Sequence, residues 1–168
     1  NRLKFERLSR GFLGLIYPGF MVTYFFMLRE DFEHGKWLLI FSLVCTSASD
    51  TFSMFGGMLL GKRKLSPDIS PGKTVEGAMV GFVGTVLFAM LFKAFFFESL
   101  PYLHAAAMGM VVAIVTPFGD LVESVVKRAM NVKDSGSILP GHGGFLDRID
   151  GQMFSSVTIY LYAKYLLN

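Results

Sequence analysis

Apolar residues fall into five long blocks, at 11–28, 37–60, 78–97, 103–119 and from near 151 to 167. A helix that crosses a bilayer needs about 20 apolar residues, or about 17 at the short end. Each block approaches that length, and the last has the least sharp boundaries. No alternating apolar-polar stretch of useful length appears, so no strand is expected. Five such blocks leave too little polar chain to coat a soluble core. The predicted fold is all-α and polytopic, one domain over 1–168 with about five transmembrane helices. Pro117 is expected to kink the fourth span just before Asp120.

The polar connections alternate in charge. The segment before the first block carries Arg2, Lys4, Arg7 and Arg10 against Glu6. The second connection is mixed, with Arg29 and Lys36 against Glu30, Asp31 and Glu33. The third is basic again, with Lys62, Arg63, Lys64 and Lys73. By the positive-inside rule this predicts that the basic connections face the cytoplasm. The loops at 61–77 and 124–150 then share that face, and 30–36 lies on the other. Composition agrees: 52% of residues are hydrophobic and only 17% charged, against about a quarter in an ordinary soluble domain. The single cysteine, Cys45, excludes an intrachain disulfide and a cysteine-based zinc cluster. The net charge of +3 gives no reason to expect a nucleic-acid partner. The chain opens without an initiator Met and is expected to be part of a longer membrane protein.

Chemistry concentrates between the fourth and fifth blocks, in SVVKRAMNVKDSGSILPGHGGFLDRID from Ser124 to Asp150. Asp120, Glu123, Ser124 and Lys127 follow at spacings that share one helical face. Asp147 and Asp150 share another at the start of the fifth block. Magnesium takes one or two carboxylates and completes its octahedron with phosphates and water. Asp120 and Asp147 are therefore the first-choice metal ligands. Asp150 is a third candidate, or else an ion-pair partner of Arg148 or Lys127. His142, between glycines, suits phosphate or loop positioning better than proton transfer. Asp50 lies within an apolar block, where a carboxylate costs about 2.5–3.5 kcal/mol. Its neighbours Ser47, Ser49, Thr51 and Ser53 point to a polar cavity, or to a bond with a neighbouring helix.

The basic connection GKRKLSPDISPGKTVEG, Gly61 to Gly77, lacks the spacing of a nucleotide-binding P-loop because position 67 is Pro. It still offers Lys62, Lys64, Lys73, Ser70 and Thr74 beside a helix start, a combination that suits an anion. Lys73 and Lys127 are expected to be solvent-reachable cations.

The chain resembles the CDP-diacylglycerol synthases, or phosphatidate cytidylyltransferases. Their C-terminal pattern is met by Ser124, Lys127, Arg128, Lys133, Asp134, Gly136, Leu139, Pro140, His142, Gly143, Gly144, Asp147, Arg148 and Asp150. A second stretch is similar at Asp50, Gly57, Gly61, Lys62, Leu65, Pro67, Ile69 to Pro71, Lys73, Thr74, Glu76 and Gly77. It departs from the family at Ser53-Met54, where Ala-Tyr is common. The resemblance covers about residues 45–168, and members usually carry additional N-terminal helices. It implies transfer of CMP from CTP to phosphatidic acid in a bilayer, with release of pyrophosphate and a requirement for Mg2+ or a similar ion. It implies catalytic roles for Asp120, Asp147, Lys127 and Lys73. It implies substrate contacts at Ser70, Lys73, Thr74, Ser124, Lys127, Arg128, Lys133, His142, Gly143, Gly144, Arg148 and Asp50. A homodimer is a further expectation. A CTP-dependent lipid-alcohol kinase and a cation-coupled transporter are the alternatives.

Overall fold

A computed structural model describes residues 19–67, 69–129, 132, 135, 144 and 146–167. Helix α1 occupies 19–30 of the first apolar block. It is followed by α2 (Gly35–Leu60), strands β1 (Lys64–Ser66) and β2 (Ser70–Thr74), α3 (Val75–Phe96), α4 (Tyr102–Ala129), α5 (Leu146–Tyr162) and a π-helical turn, Ala163–Leu167. Three of these helices are long and apolar enough to cross a membrane: α2, α3 and α4. At 1.5 Å per residue they run about 39, 33 and 42 Å, against a hydrocarbon core of about 30 Å. The 17 residues of α5 begin with charged positions and are less apolar.

The helices pack in chain order, α2 on α3, α3 on α4 and α4 on α5, with α2 also touching α4 and α5. The core joins Leu28, Phe41, Cys45, Met108, Val112 and Ile159. Outward faces stay apolar, as at Leu87, Leu91 and Phe95 on α3, which suits a lipid surround. Small residues set the closest approaches. A side chain at Gly77 would put its Cβ 2.6 Å from the Ser53 carbonyl oxygen and 3.0 Å from the Gly57 Cα. The α2–α3 contact at this point therefore tolerates only glycine.

Two expectations change. The loop at 61–77 is not free of strands. β1 and β2 form an antiparallel ribbon with Lys64 opposite Thr74 and Ser66 opposite Ser70. Strands of three and five residues that carry Pro71 and Gly72 leave no periodic signal, so pattern reading passes over them. The loop read from 124 does not begin there, while the helical face of Asp120, Glu123, Ser124 and Lys127 is as expected. α4 continues to Ala129, and its last turns carry the polar face. Pro117 sits within that helix.

Candidate functional site

The ribbon, the last turns of α4 and the first turn of α5 meet at one end of the bundle. Local capping holds the ribbon there. The Thr74 hydroxyl caps α3 by accepting the Gly77 N–H at 3.1 Å. The Glu76 carboxylate accepts the Lys62 and Arg63 amides at 3.0 and 3.1 Å. These bonds turn β2 so that Lys73 points across to α4. Its Nζ donates to Asp120 Oδ2 at 2.8 Å and to the Pro117 carbonyl at 3.3 Å.

Between α2, the ribbon and α4 lies a cavity of about 490 Å³. Asp50, Ser53, Gly57, Lys73, Thr74 and Asp120 are among the residues lining it. Asp50 belongs to the site predicted from its polar neighbours, and it opens into this cavity with Asp120. Ser70 sits further along the ribbon and is not among the lining residues.

A second cluster joins α4 to α5. Lys127 Nζ lies 2.5 Å from Glu123 Oε2 and 2.6 Å from Asp147 Oδ1. Asp147 also accepts the Ser135 amide and hydroxyl, each at 2.9 Å to Oδ2, and the Gly144 amide at 2.7 Å. Burial opposes ionisation of Asp147. Bonds from Lys127, Ser135 and Gly144 outweigh it and hold the carboxyl well below the usual carboxylate range. The Gly144 N–H, expected to meet substrate, is thus occupied by Asp147.

Asp150 behaves differently. Burial pushes it up, Asp120 and Glu123 push in the same direction, and the adjacent Gly151 amide opposes them. Asp120 and Asp150 lie near the contact of α4 with α5, and Asp150 feels the charge of Asp120. A Cβ on Gly151 would lie 3.0 Å from Asp120 Oδ1, and one on Gly119 would lie 3.1 Å from the Asp150 carbonyl oxygen. Asp120 and Asp147, expected to share a metal, each meet a lysine: Lys73 on Asp120 and Lys127 on Asp147. Asp150 and Asp50 are the carboxylates that act on, or share a cavity with, Asp120.

Lys127 departs from expectation in exposure. Its side chain is only 17% exposed, and it neutralises Glu123, whose side chain is 3% exposed. Glu123 Oε1 is buried with no hydrogen-bond donor among the described residues. Sequence placed Glu123 on the correct face but gave no reason to rank it with the site. Its signal was the four-residue spacing to Lys127. Ser124 and Arg128 lie on the same helix, half-buried and exposed. Lys133, His142 and Gly143 lie outside the described residues, as does the Arg148 side chain.

Residues 1–166 match the cytidylyltransferase family, a longer match than the 45–168 stretch whose motifs carried the resemblance. The chain is 38% identical over 160 residues to a phosphatidate cytidylyltransferase of Bacillus subtilis, covering 95% of this chain and 60% of that protein. It is 38% identical over 170 residues to the enzyme of that name from Thermotoga maritima, covering 96% and 61%. It is 40% identical over 168 residues to the one from Helicobacter pylori, covering 94% and 58%. The chain thus spans about 60% of the length of these relatives.

Proposed function

We propose, given that the chain belongs to the cytidylyltransferase family, that it transfers CMP from CTP to phosphatidic acid at the cavity beside Lys73 and Asp120. The carrying observation is the Lys73–Asp120 pair, 47 residues apart in sequence, which joins the ribbon to α4 at one polar mouth between apolar helices. A water-soluble triphosphate and a membrane-held phosphate can meet only where charge and apolar surface adjoin.

In this reading the lipid phosphate oxygen attacks the α-phosphorus of CTP, and the bond to the β-phosphate oxygen breaks. Pyrophosphate leaves and CDP-diacylglycerol remains. Both reactants are anionic, so the work is positioning and charge neutralisation. A phosphate monoester is already a nucleophile, so no strong general base is needed. Lys73 supplies the cation nearest the cavity, with Lys64 on the same wall. Lys127 and Asp147 fix the α4–α5 junction, and Arg128, on the exposed face, is available to phosphate.

The donor set fits a divalent ion of the magnesium type. Asp120 lies beside Gly151 and feels Asp150, and Asp50 lines the same cavity as Asp120. Among the described residues no group of three or more His, Cys, Asp or Glu forms a protein-only cage, and magnesium does not demand one. Asp120 and Asp150 would hold the ion, which would neutralise phosphate charge when bound. Asp147, saturated by protein donors, positions the loop. The site end faces the cytoplasm in this reading, by the charge of its loops, and the enzyme works as a homodimer.

The test is incubation of the full-length protein with CTP, labelled in the α-phosphate, and phosphatidic acid. Label in a lipid product, with release of pyrophosphate, is expected. Release of CDP would identify a kinase and overturn the reading, as would no nucleotide turnover.

A further inference from the structure

A second hollow adjoins the first. It measures about 610 Å³ and runs between α3 and α4 under β1. Met79, Phe82 and Val83 line it from α3, and Ile114 and Phe118 from α4. On α3 its lining runs from Val75 to Val83, eight residues apart, so the groove follows the helix for about 12 Å. Val83 and Ile114 are 57% and 51% exposed, so the groove opens sideways between helices long enough to cross a membrane.

Leu65, Ala78 and Pro117 line both this groove and the charged cavity. The carbonyl of Pro117 accepts Lys73 Nζ at 3.3 Å, so the lysine of the charged cavity is bonded to a residue where the two hollows meet. Among the described residues no charged side chain lines the groove. A site with an ammonium group at one end and an apolar slot open to the bilayer at the other matches an anionic lipid, headgroup inward.

We propose that the α3–α4 groove holds one acyl chain of the phosphatidic acid substrate, with its phosphate at Lys73. This rests on the cytidylyltransferase reading above. The bilayer-exposed walls admit the lipid sideways, so it never leaves the membrane, and Met79, Val83, Ile114 and Phe118 become the residues that set acyl-chain preference. The Met79 side chain can adapt to an irregular apolar shape.

The experiment uses the full-length protein in vesicles and two arms. In the first, Val83→Trp and Ile114→Trp are compared with Leu87→Trp and Leu91→Trp, which lie on the same outward face of α3 beyond the groove and are similarly exposed. Turnover is measured with dioleoyl and with dihexanoyl phosphatidic acid. Filling the groove should lower the long-to-short ratio of kcat/KM by about tenfold, the scale of one or two misfitted apolar groups. The control variants should leave the ratio within about twofold of wild type. Equal ratios in all four variants overturn the proposal. In the second arm, a phosphatidic acid with a diazirine in its acyl chain is photolysed on the protein. Label in peptides containing 79–83 or 114–118, displaced by unlabelled phosphatidic acid but not by phosphatidylcholine, is expected. Label elsewhere, or label that phosphatidylcholine displaces equally, overturns it; the first is also the result if another helix or a second copy covers the groove. If wild type transfers no CMP to any phosphatidic acid, the cytidylyltransferase reading fails, and the photolabel alone decides the groove.

Discussion

The two ends of the bundle both carry charge, and they treat it in opposite ways. At the site end cations meet carboxylates across helices, Lys73 with Asp120 and Lys127 with Glu123 and Asp147. At the other end charges meet neutral aromatic groups. Asp31 accepts the Tyr160 hydroxyl at 2.7 Å, His104 shares a bond with the Tyr162 hydroxyl at 2.9 Å, and Lys93 stands 4.3 Å over the Tyr102 ring. Lys36 and Lys164 also lie over rings, those of Trp37 and Tyr160. Aromatic groups of this kind collect where a bilayer meets water, and they anchor without needing a ligand. The site end instead puts Asp50 and Asp120 on one cavity with Lys64 and Lys73, and Asp150 close enough to Asp120 to feel its charge.

The comparison breaks most sharply at Asp120. Asp120→Asn keeps size and removes one charge, and should lower CMP transfer at least about a hundredfold while the protein stays folded. A chelator in excess should do the same to wild type. Near-normal rates in either case would detach the carboxylates from the chemistry. Lys73→Ala should raise KM for one of the two substrates and cut kcat/KM by about tenfold to a hundredfold, with partial recovery in Lys73→Arg. A variant with unchanged KM for both substrates would reduce Lys73 to a topology anchor.

Lys127→Ala should lose stability as well as activity. It strands the buried Glu123 carboxylate, a change that costs about 3–5 kcal/mol in a fully buried pair and less here. Lys127→Ala combined with Glu123→Gln should recover part of the thermal stability. If the double variant melts no higher than the single one, the pairing is not what holds the junction.

Asp147 gives a pH signature. Its carboxyl is depressed in the folded protein, so its contribution is complete above the ordinary carboxylate pKa of about 3.9 and is lost as pH falls below it. Asp147→Asn should therefore melt a few degrees lower at pH 7, roughly 2–8 °C, and the gap should close on acidification below about pH 4. A gap that is constant with pH would point to shape rather than charge. The smallest effect belongs to the aromatic end. Tyr160→Phe removes one hydrogen bond and should cost about 1–2 kcal/mol of stability, with CMP transfer within about twofold of wild type. A larger loss of transfer would mean that the two ends are coupled.

The amino-acid sequence by itself determined the apolar helices and the faces of their polar residues. Helix formation is local, so a 3.6-residue period places Glu123 and Lys127 side by side without knowledge of any neighbour. The family motifs were legible for the same reason, as unbroken strings of residue types. Tertiary structure alone decided who pairs with whom. Lys73 could have met Asp50, Asp120 or Asp150. It meets Asp120 because the Thr74 cap, the Glu76 bonds and the glycine contact of Gly57 with Gly77 aim the ribbon toward α4. Reading Asp147 as a metal ligand said nothing of the four donor groups, from Lys127, Ser135 and Gly144, that packing brings to it. Pairings of this kind depend on close approaches between distant segments. A glycine in a string does not say which backbone it lets in.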